Sequence, residues 1–397
     1  MSNSRMKFAH LADCHIGGWR DPNLKELTIE CFEKAIDISI ENEVDFVLIA
    51  GDLFDTALPN VDQLKRTTKA LQYLRELDIP VYAIAGSHDY SPSGKTMLDV
   101  LENAKLLKNV SKNPYKFTID KKTGTKITGL GGKRSSLEIN DFKELDKPLL
   151  ESEPGFKIFM FHTAVEELRP IDLEAMQAIS LNDFPKGFNY YAGGHVHIVL
   201  EKDADIGKVI FPGPGFPNNF RELEKLKKGS FYIVEKAGDT LLTNKIELNL
   251  KEVLSYSFDA TNKTPDEIDS EILTTIKDFH NKIVTIRIKG ELESGKPSDI
   301  SFRKIYSNLD DAYTILRNTS KLRSKEFEVL HVDLEESLGV EDAILKEYKD
   351  KQGADEFLIK KLMDTLNKEK QDGEKTGDFE ARILQEAITL LNLENDN

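Results

Sequence analysis

The pattern of apolar and polar positions divides the 397-residue chain into three stretches of different character. In the first, short continuous apolar runs alternate with segments of helical periodicity. Residues 7–12 (Lys-Phe-Ala-His-Leu-Ala), 45–50 (Asp-Phe-Val-Leu-Ile-Ala) and 80–85 (Pro-Val-Tyr-Ala-Ile-Ala) are too short for helices and read as buried strands. Between them Leu24, Leu27, Phe32, Ile36 and Ile40 recur at near-helical spacing and predict a helix over 23–42, with a second over 61–77. Strand, helix, strand, helix, strand with crossovers of this length predicts a parallel sheet. Residues 116–131 predict a hairpin about the turn 122–125, residues 156–161 and 190–194 two more buried strands, and 230–234 with 241–250 a β-rich close to the unit.

The pattern changes near residue 253. Strand 254–258, helix 265–279, strand 283–288, helix 302–316 and strand 327–332 predict a small α/β domain. Beyond residue 338 only helical periodicity remains, over 341–349, 355–366 and 379–393, and the polar stretch 368–377 reads as a linker. These shifts predict domains at 1–250, 251–335 and 336–397. No internal repeat is visible.

Chemistry collects where the strands of the first domain end. Asp13 and His15 follow the first, Asp52 the second, Ser87, His88 and Asp89 the third, His162 a later one, and His195 with His197 the run 190–194, where Gly193 and Gly194 permit a sharp turn. In parallel sheets ligands bind at the carboxyl ends of the strands. Alone, a D-x-H string or a histidine at a strand end is ordinary, and Asp52 reads equally well as a turn or cap residue. Five such clusters in one kind of place point to a metal centre. Carboxylates mixed with imidazoles suit Mn²⁺, Fe²⁺ or Zn²⁺ better than Ca²⁺ or Mg²⁺. More ligands are present than one ion needs, which predicts two ions about 3.5–4 Å apart sharing a carboxylate, an arrangement that clamps a phosphoryl group and polarises a bridging water.

Composition narrows this further. The two cysteines, Cys14 and Cys31, form neither a disulfide framework nor a C-x-x-C pair, so a metal must be held by oxygen and nitrogen. Cys14, between two candidate ligands, is expected to point into the core. His10, His280 and His331 lie outside the clusters and read as packing or surface residues. No apolar stretch approaches the length of a membrane span and no signal peptide is evident, so an intracellular protein with no membrane association is expected. The net charge of −15 argues against a generally basic surface. Lys65, Arg66, Lys133, Arg134 and Arg221 are weak candidates for contacts to a nucleic-acid backbone, each equally well read as solvated surface.

In order along the chain, D-x-H, G-D-x-x-D, G-S-H-D, a single histidine and G-H-V-H resemble the five motifs of the calcineurin-like metallophosphoesterases. The stretches Phe-Ala-His-Leu-Ala-Asp-Cys-His-Ile-Gly at 8–17, Ile-Ala-Gly-Asp-Leu-Phe at 49–54 and Tyr-Tyr-Ala-Gly-Gly-His-Val-His at 190–197 resemble the DNA double-strand break repair nucleases of the SbcD and meiotic-recombination-eleven type, archaeal in character. The resemblance is strong over about the first 250 residues. The small domain and the tail match in order and type.

The resemblance implies an α/β fold: a metallophosphoesterase β-sandwich flanked by helices, with a small α/β capping domain and a helical C-terminal tail. It implies a Mn²⁺-dependent DNA nuclease, a 3'–5' exonuclease and single-strand endonuclease, binding two Mn²⁺ and acting on DNA ends. One ion falls to Asp13, His15, Asp52 and His197, the other to Asp52, Ser87, His162 and His195. His88, steered by Asp89, stabilises the phosphorane or protonates the leaving oxygen. The small domain caps the site and shapes the DNA path. A homodimer through the helices of the 60–105 region is implied, as is an SMC-like ATPase partner of the Rad-fifty/SbcC type. That partner docks on C-terminal helices carrying Phe357, Leu358, Leu362 and Met363, and Phe379, Ile383, Leu384, Ile388 and Leu391. The alternative for these helices is packing on the chain's own core.

Three positions depart from the family pattern. Ser87 replaces the usual Asn, substituting a short hydroxyl for an amide oxygen, so the second ion is expected to bind more weakly. Asp55 stands where the family often has His, and Pro214 where it usually has Ser. Two other readings follow: a phosphoesterase for a non-DNA ester, or a catalytically weakened scaffold that bridges DNA and the ATPase.

Overall fold

The structure, a computed structural model, describes residues 5–91, 96–173, 176–325 and 376–390, with 361, 365 and 368. Among the described residues fifteen strands follow one another: β1 (Met6–Leu11), β2 (Phe46–Ala50), β3 (Val81–Ile84), β4 (Lys108–Asn109), β5 (Thr118–Ile119), β6 (Lys126–Leu130), β7 (Lys157–His162), β8 (Tyr190–Gly194), β9 (Val199–Ala204), β10 (Gly207–Pro212), β11 (Gly229–Ala237), β12 (Thr240–Leu248), β13 (Val253–Asp259), β14 (Ile283–Leu292) and β15 (Thr314–Ser324). Two six-stranded sheets, ordered β12-β11-β1-β2-β3-β4 and β5-β6-β7-β8-β10-β9, make a sandwich, and β13-β14-β15 form a separate three-stranded sheet.

The expected parallel sheet is present as β1 to β4, extended by β11, antiparallel to β1, and then by β12, antiparallel to β11. In the second sheet β6, β7, β8 and β10 are parallel, with antiparallel strands at both edges. Alternation along the central strands explains their uniform apolarity. Phe8, Phe46, Leu48 and Ala50 face the interior between the sheets, where they meet Ile158, Met160, Tyr190 and Ala192. Their neighbours Ala9, Val47 and Ile49 face outward, where they join the apolar stripes of the helices Pro22–Glu41 (α1) and Val61–Glu76 (α2). On the other side Phe159, Phe161 and Tyr191 pack with Phe142, Leu150 and Phe184. Cys14 is buried in the α1 side of the core, as alternation predicts. His10 is buried too, its Nδ1 2.8 Å from the Tyr190 hydroxyl, while the His280 ring is exposed; His331 lies outside the described residues.

By contact density the chain forms two compact units, one of 1–260, 266–290 and 300–322, the other of 261–265, 291–299 and 323–397. In the small sheet β13 and β14 are parallel and joined by the helix Pro265–Thr275. The predicted helix 302–316 stops at Asn308, because Leu309 closes its last turn onto Ile305 and the chain then turns through Asp310 and Asp311. The third strand is β15, not 327–332, which lies outside the described residues. Of the C-terminal helices, Thr376–Leu390 is described, with Leu384 exposed; 341–349 and Phe357, Leu358, Leu362, Met363 and Leu391 lie outside the described residues. Among the described residues no helix is long and apolar enough to cross a membrane.

Candidate metal centre

Five parallel strands, β1 to β3 from one sheet and β7 and β8 from the other, point their carboxyl ends at one edge of the sandwich. The loops beyond them are tied together by backbone hydrogen bonds: Asp13 N donates to Gly51 O at 3.1 Å and His15 N to Asp52 O at 3.0 Å. Asp13, His15, Asp52, His195 and His197 all have positive φ, between 41° and 98°. Left-handed backbone costs an L-residue roughly 1–2 kcal/mol. Five such residues in one place mark a site held against local preference by its surroundings. Gly51, at φ 89°, is needed for a second reason: a Cβ there would collide with the His162 ring.

Three overlapping groups of ligand atoms result: Asp13, His15 and His197; His15, Asp52 and His88; and Asp13, Asp52 and His162. Within each, all atoms lie within 4.8 Å of one another. Asp52 Oδ2 lies 3.1 Å from His162 Nε2 and 3.6 Å from His15 Nε2. Asp13 Oδ1 is 3.8 Å from both His162 Nδ1 and His197 Nε2. His15 Nε2 and His197 Nε2 face each other at 2.9 Å. Two imidazoles on one ion, each bonded at about 2.1 Å and at a right angle, would hold their nitrogens about 3 Å apart, so the donors fit a cation.

The far side of each ring is fixed. His15 Nδ1 lies 3.1 Å from Asp55 Oδ1, His197 Nδ1 2.9 Å from Glu222 Oε1, and His162 Nδ1 2.9 Å from the Ala50 carbonyl. Each acceptor holds the Nδ1 proton and leaves Nε2 facing its neighbours, the tautomer that metal ligation requires. Asp55, noted in the sequence only as a departure, thus orients His15. Glu222 was not foreseen, although Asn219-x-x-Glu222 is a visible capping-box signature. Asn219 caps the helix Phe220–Leu226 (α3), and Glu222 reaches back to the Asn218 amide.

The other expected residues are placed as follows. His195 donates its backbone N–H to Asp13 at 2.9 Å and stacks its ring edgewise on His162, centroids 5.0 Å apart. Ser87 Oγ lies 3.5 Å from Asp52 Oδ2, a weak contact. His88 is half-exposed, its Nδ1 2.7 Å from the Asp55 carbonyl. The expected steering by Asp89 is not found: the Asp89 carboxylate is buried and accepts from the amides of Leu53, Phe54 and Gly86, so it braces the loops, and Asp55 is what His88 leans on. Arg66 is occupied by Glu26 and Glu33, and Lys133 by Asp141 at 2.6 Å. Arg221 lines a 560 Å³ cleft with His197 and Glu222. Lys65 and Arg134 are exposed.

Electrostatics matches this crowding. Burial opposes charge on Asp52, but His162, His15 and His88 hold its carboxyl well below the usual range. Burial likewise opposes charge on His162 and His197. Asp52 nonetheless raises His162 to about 10, and Asp13 and Glu222 raise His197 to about 9. His195, buried beside charged His162, is lowered to about 3. Burial, then the charge of Asp52, lifts Asp89 to about 7.

The model of the calcineurin-like phosphoesterase family matches residues 6–199, which contain every candidate ligand above. The chain is 28% identical to the DNA double-strand break repair protein Mre11 of Sulfolobus acidocaldarius, over 92% of this chain and 95% of the relative. It is 27% identical to that of Sulfurisphaera tokodaii over 99% of each. Along nearly its whole length the chain is thus similar to Mre11 repair proteins, and its first half carries the calcineurin-like phosphoesterase pattern. A further relative, Mre11 of Archaeoglobus fulgidus, is 29% identical, over 59% of this chain and 55% of its own length. The fold expected for this family, sandwiched sheets flanked by helices with a further C-terminal helix, is the one observed. Among the described residues the chain carries grouped carboxylate and imidazole donors of the kind a metal-dependent hydrolase needs.

Proposed function

We propose that this chain is a two-metal phosphodiesterase, a Mn²⁺-dependent nuclease that trims DNA ends in double-strand break repair. The observation that carries the proposal is Asp52 Oδ2, within 3.1 Å of His162 Nε2 and 3.6 Å of His15 Nε2, a single oxygen between two sets of donors. One ion would be held by Asp13, His15, Asp52 and His197, the other by Asp52, Ser87, His162 and His195. When bound, such a pair polarises a water into a nucleophile and neutralises the phosphoryl oxygens. The chain's own residues do the rest. Asp55 and Glu222 fix the rings of His15 and His197, and Asp55 also holds His88 through its carbonyl. Half-exposed His88 is then placed to meet substrate and give a proton to the leaving oxygen.

Three wider parts of the reading rest on relatedness and on exposed surface. Residues 251–335 are proposed to act as the capping domain and 336–397 as the tail that binds an SMC-like ATPase, with exposed Leu384 of Thr376–Leu390 in its docking face. Homodimerisation is proposed through the 60–105 region, where Val61, Tyr73, Leu77 and Val100 are exposed apolar residues, with exposed Leu58 just before it. The DNA contacts of Lys65, Arg134 and Arg221 belong to the same proposal. Incubation with end-labelled duplex tests the activity: cleavage with Mn²⁺, none with chelator, and none with His88→Ala, which keeps all seven residues assigned above to the two ions. Cleavage of aryl phosphates but not DNA would favour a different ester, and DNA binding without cleavage would favour a scaffold.

A further inference from the structure

The helix α3 lies between the small sheet and the metal centre and is gripped from both sides. On one face Arg287 of β14 donates Nε to Glu224 Oε1 at 2.9 Å and Nη2 to Oε2 at 2.6 Å. Its guanidinium also sits 5.0 Å from the centre of the Phe220 ring. Phe220 and Glu224 are four residues apart and share one helix face, so Arg287 holds the first turn at two points. A two-pronged guanidinium on a carboxylate fixes orientation as well as distance. Two residues along a helix turn the side chain by about 200°, so Glu222 faces away from Glu224, and there its Oε1 meets His197 Nδ1 at 2.9 Å. Fully buried Leu223 pins the helix between these faces.

We propose that Arg287 is a positioning residue for the metal centre: through Glu224 and Phe220 it sets α3, and α3 sets Glu222 against His197. The small sheet then does more than border the site. Force on β14 from a bound substrate reaches a cation ligand through one rigid turn of helix. This inference rests on the proposed role of His197 as a ligand, and the test separates the two.

The primary readout is the His197 Nδ1–H resonance of the metal-free, full-length protein, which Glu222 protects from exchange. The secondary readout is Mn²⁺ affinity. Glu222→Ala serves as the control that loses the resonance. Arg287→Ala is expected to lose it too and to weaken one of two Mn²⁺ sites by about three- to tenfold, short of the roughly 10–100-fold typical of a direct outer partner. Arg287→Lys should lie between, and the exchange Arg287→Glu with Glu224→Arg should restore both readouts. If Arg287→Ala does not fold, the lysine variant and the exchange decide. Retention of the resonance and of both affinities, whatever happens to the melting temperature, overturns the inference, as does a folded exchange variant that restores neither. A wild-type chain that binds no Mn²⁺ would overturn the proposed function, while the resonance would still decide the role of Arg287.

Discussion

His15 and His197 come from opposite sheets and bring their Nε2 atoms to 2.9 Å of each other, each with its Nδ1 side held by a carboxylate, Asp55 in one case and Glu222 in the other. Two lone pairs at that distance repel unless a cation or a proton lies between them. The fold spends backbone strain at Asp13, His15 and His197 to create this meeting, which is the behaviour of a site selected for what it binds.

At both carboxylates behind the rings the loss is expected to depend on whether the replacement can still accept the Nδ1 proton. Asp55→Ala and Glu222→Ala should each weaken cation binding by about 10–100-fold. Asp55→Asn and Glu222→Gln, whose amide oxygens still accept the Nδ1 proton, should lose less. Calorimetric Mn²⁺ titration of the four variants checks the order.

Ser87 makes only a 3.5 Å contact with Asp52, where the family pattern supplies an amide oxygen. The two Mn²⁺ affinities of the wild type are therefore expected to differ, and Ser87→Asn should tighten the weaker one and bring the pair closer together. Equal, tight affinities in the wild type would contradict this.

Protonation supplies a further prediction. His162 is raised to about 10 by Asp52 despite its burial, so in the metal-free protein its folded form holds a proton that the unfolded chain releases near its ordinary value of about 6.5. That contribution to stability is fully present below about 6.5 and is lost as pH rises toward 10. The melting temperature of the metal-free protein should fall across this window, and less so in His162→Asn. Ligation needs an unprotonated Nε2, so Mn²⁺ added at pH 7.5 should release protons into a weak buffer, and its stabilising effect should grow as pH rises.

Much of this site was legible in the sequence because each candidate ligand lies at or just beyond the end of a buried strand, and a run such as 46–50 announces both the strand and its end. Side-chain direction was not. Asp89 is adjacent to His88 in sequence, yet it turns inward to three backbone amides, because a carboxylate buried beneath the loops satisfies donors that nothing else reaches. Glu222 sits 25 residues from the histidine it holds, and its capping-box pattern signals a helix start without signalling a second duty. In the fold, the placement of β11 beside β1, with β12 beyond it, depends on pairing across more than 200 residues, which local pattern does not carry. The polar alternation of β15 likewise hid a strand behind a helix that ends early at Asn308.

Asp52 is the residue on which both proposed cations depend. Asp52→Asn should reduce Mn²⁺ stoichiometry from two to at most one and bring DNA cleavage to background, with the fold retained by circular dichroism.

The most direct measurement is anomalous diffraction from crystals of the wild-type protein soaked in Mn²⁺. Two peaks about 3.5–4 Å apart, flanking Asp52 Oδ2 with His15 and His197 beside one and His162 and His195 beside the other, are predicted. A single peak, or peaks remote from Asp52, would contradict the account.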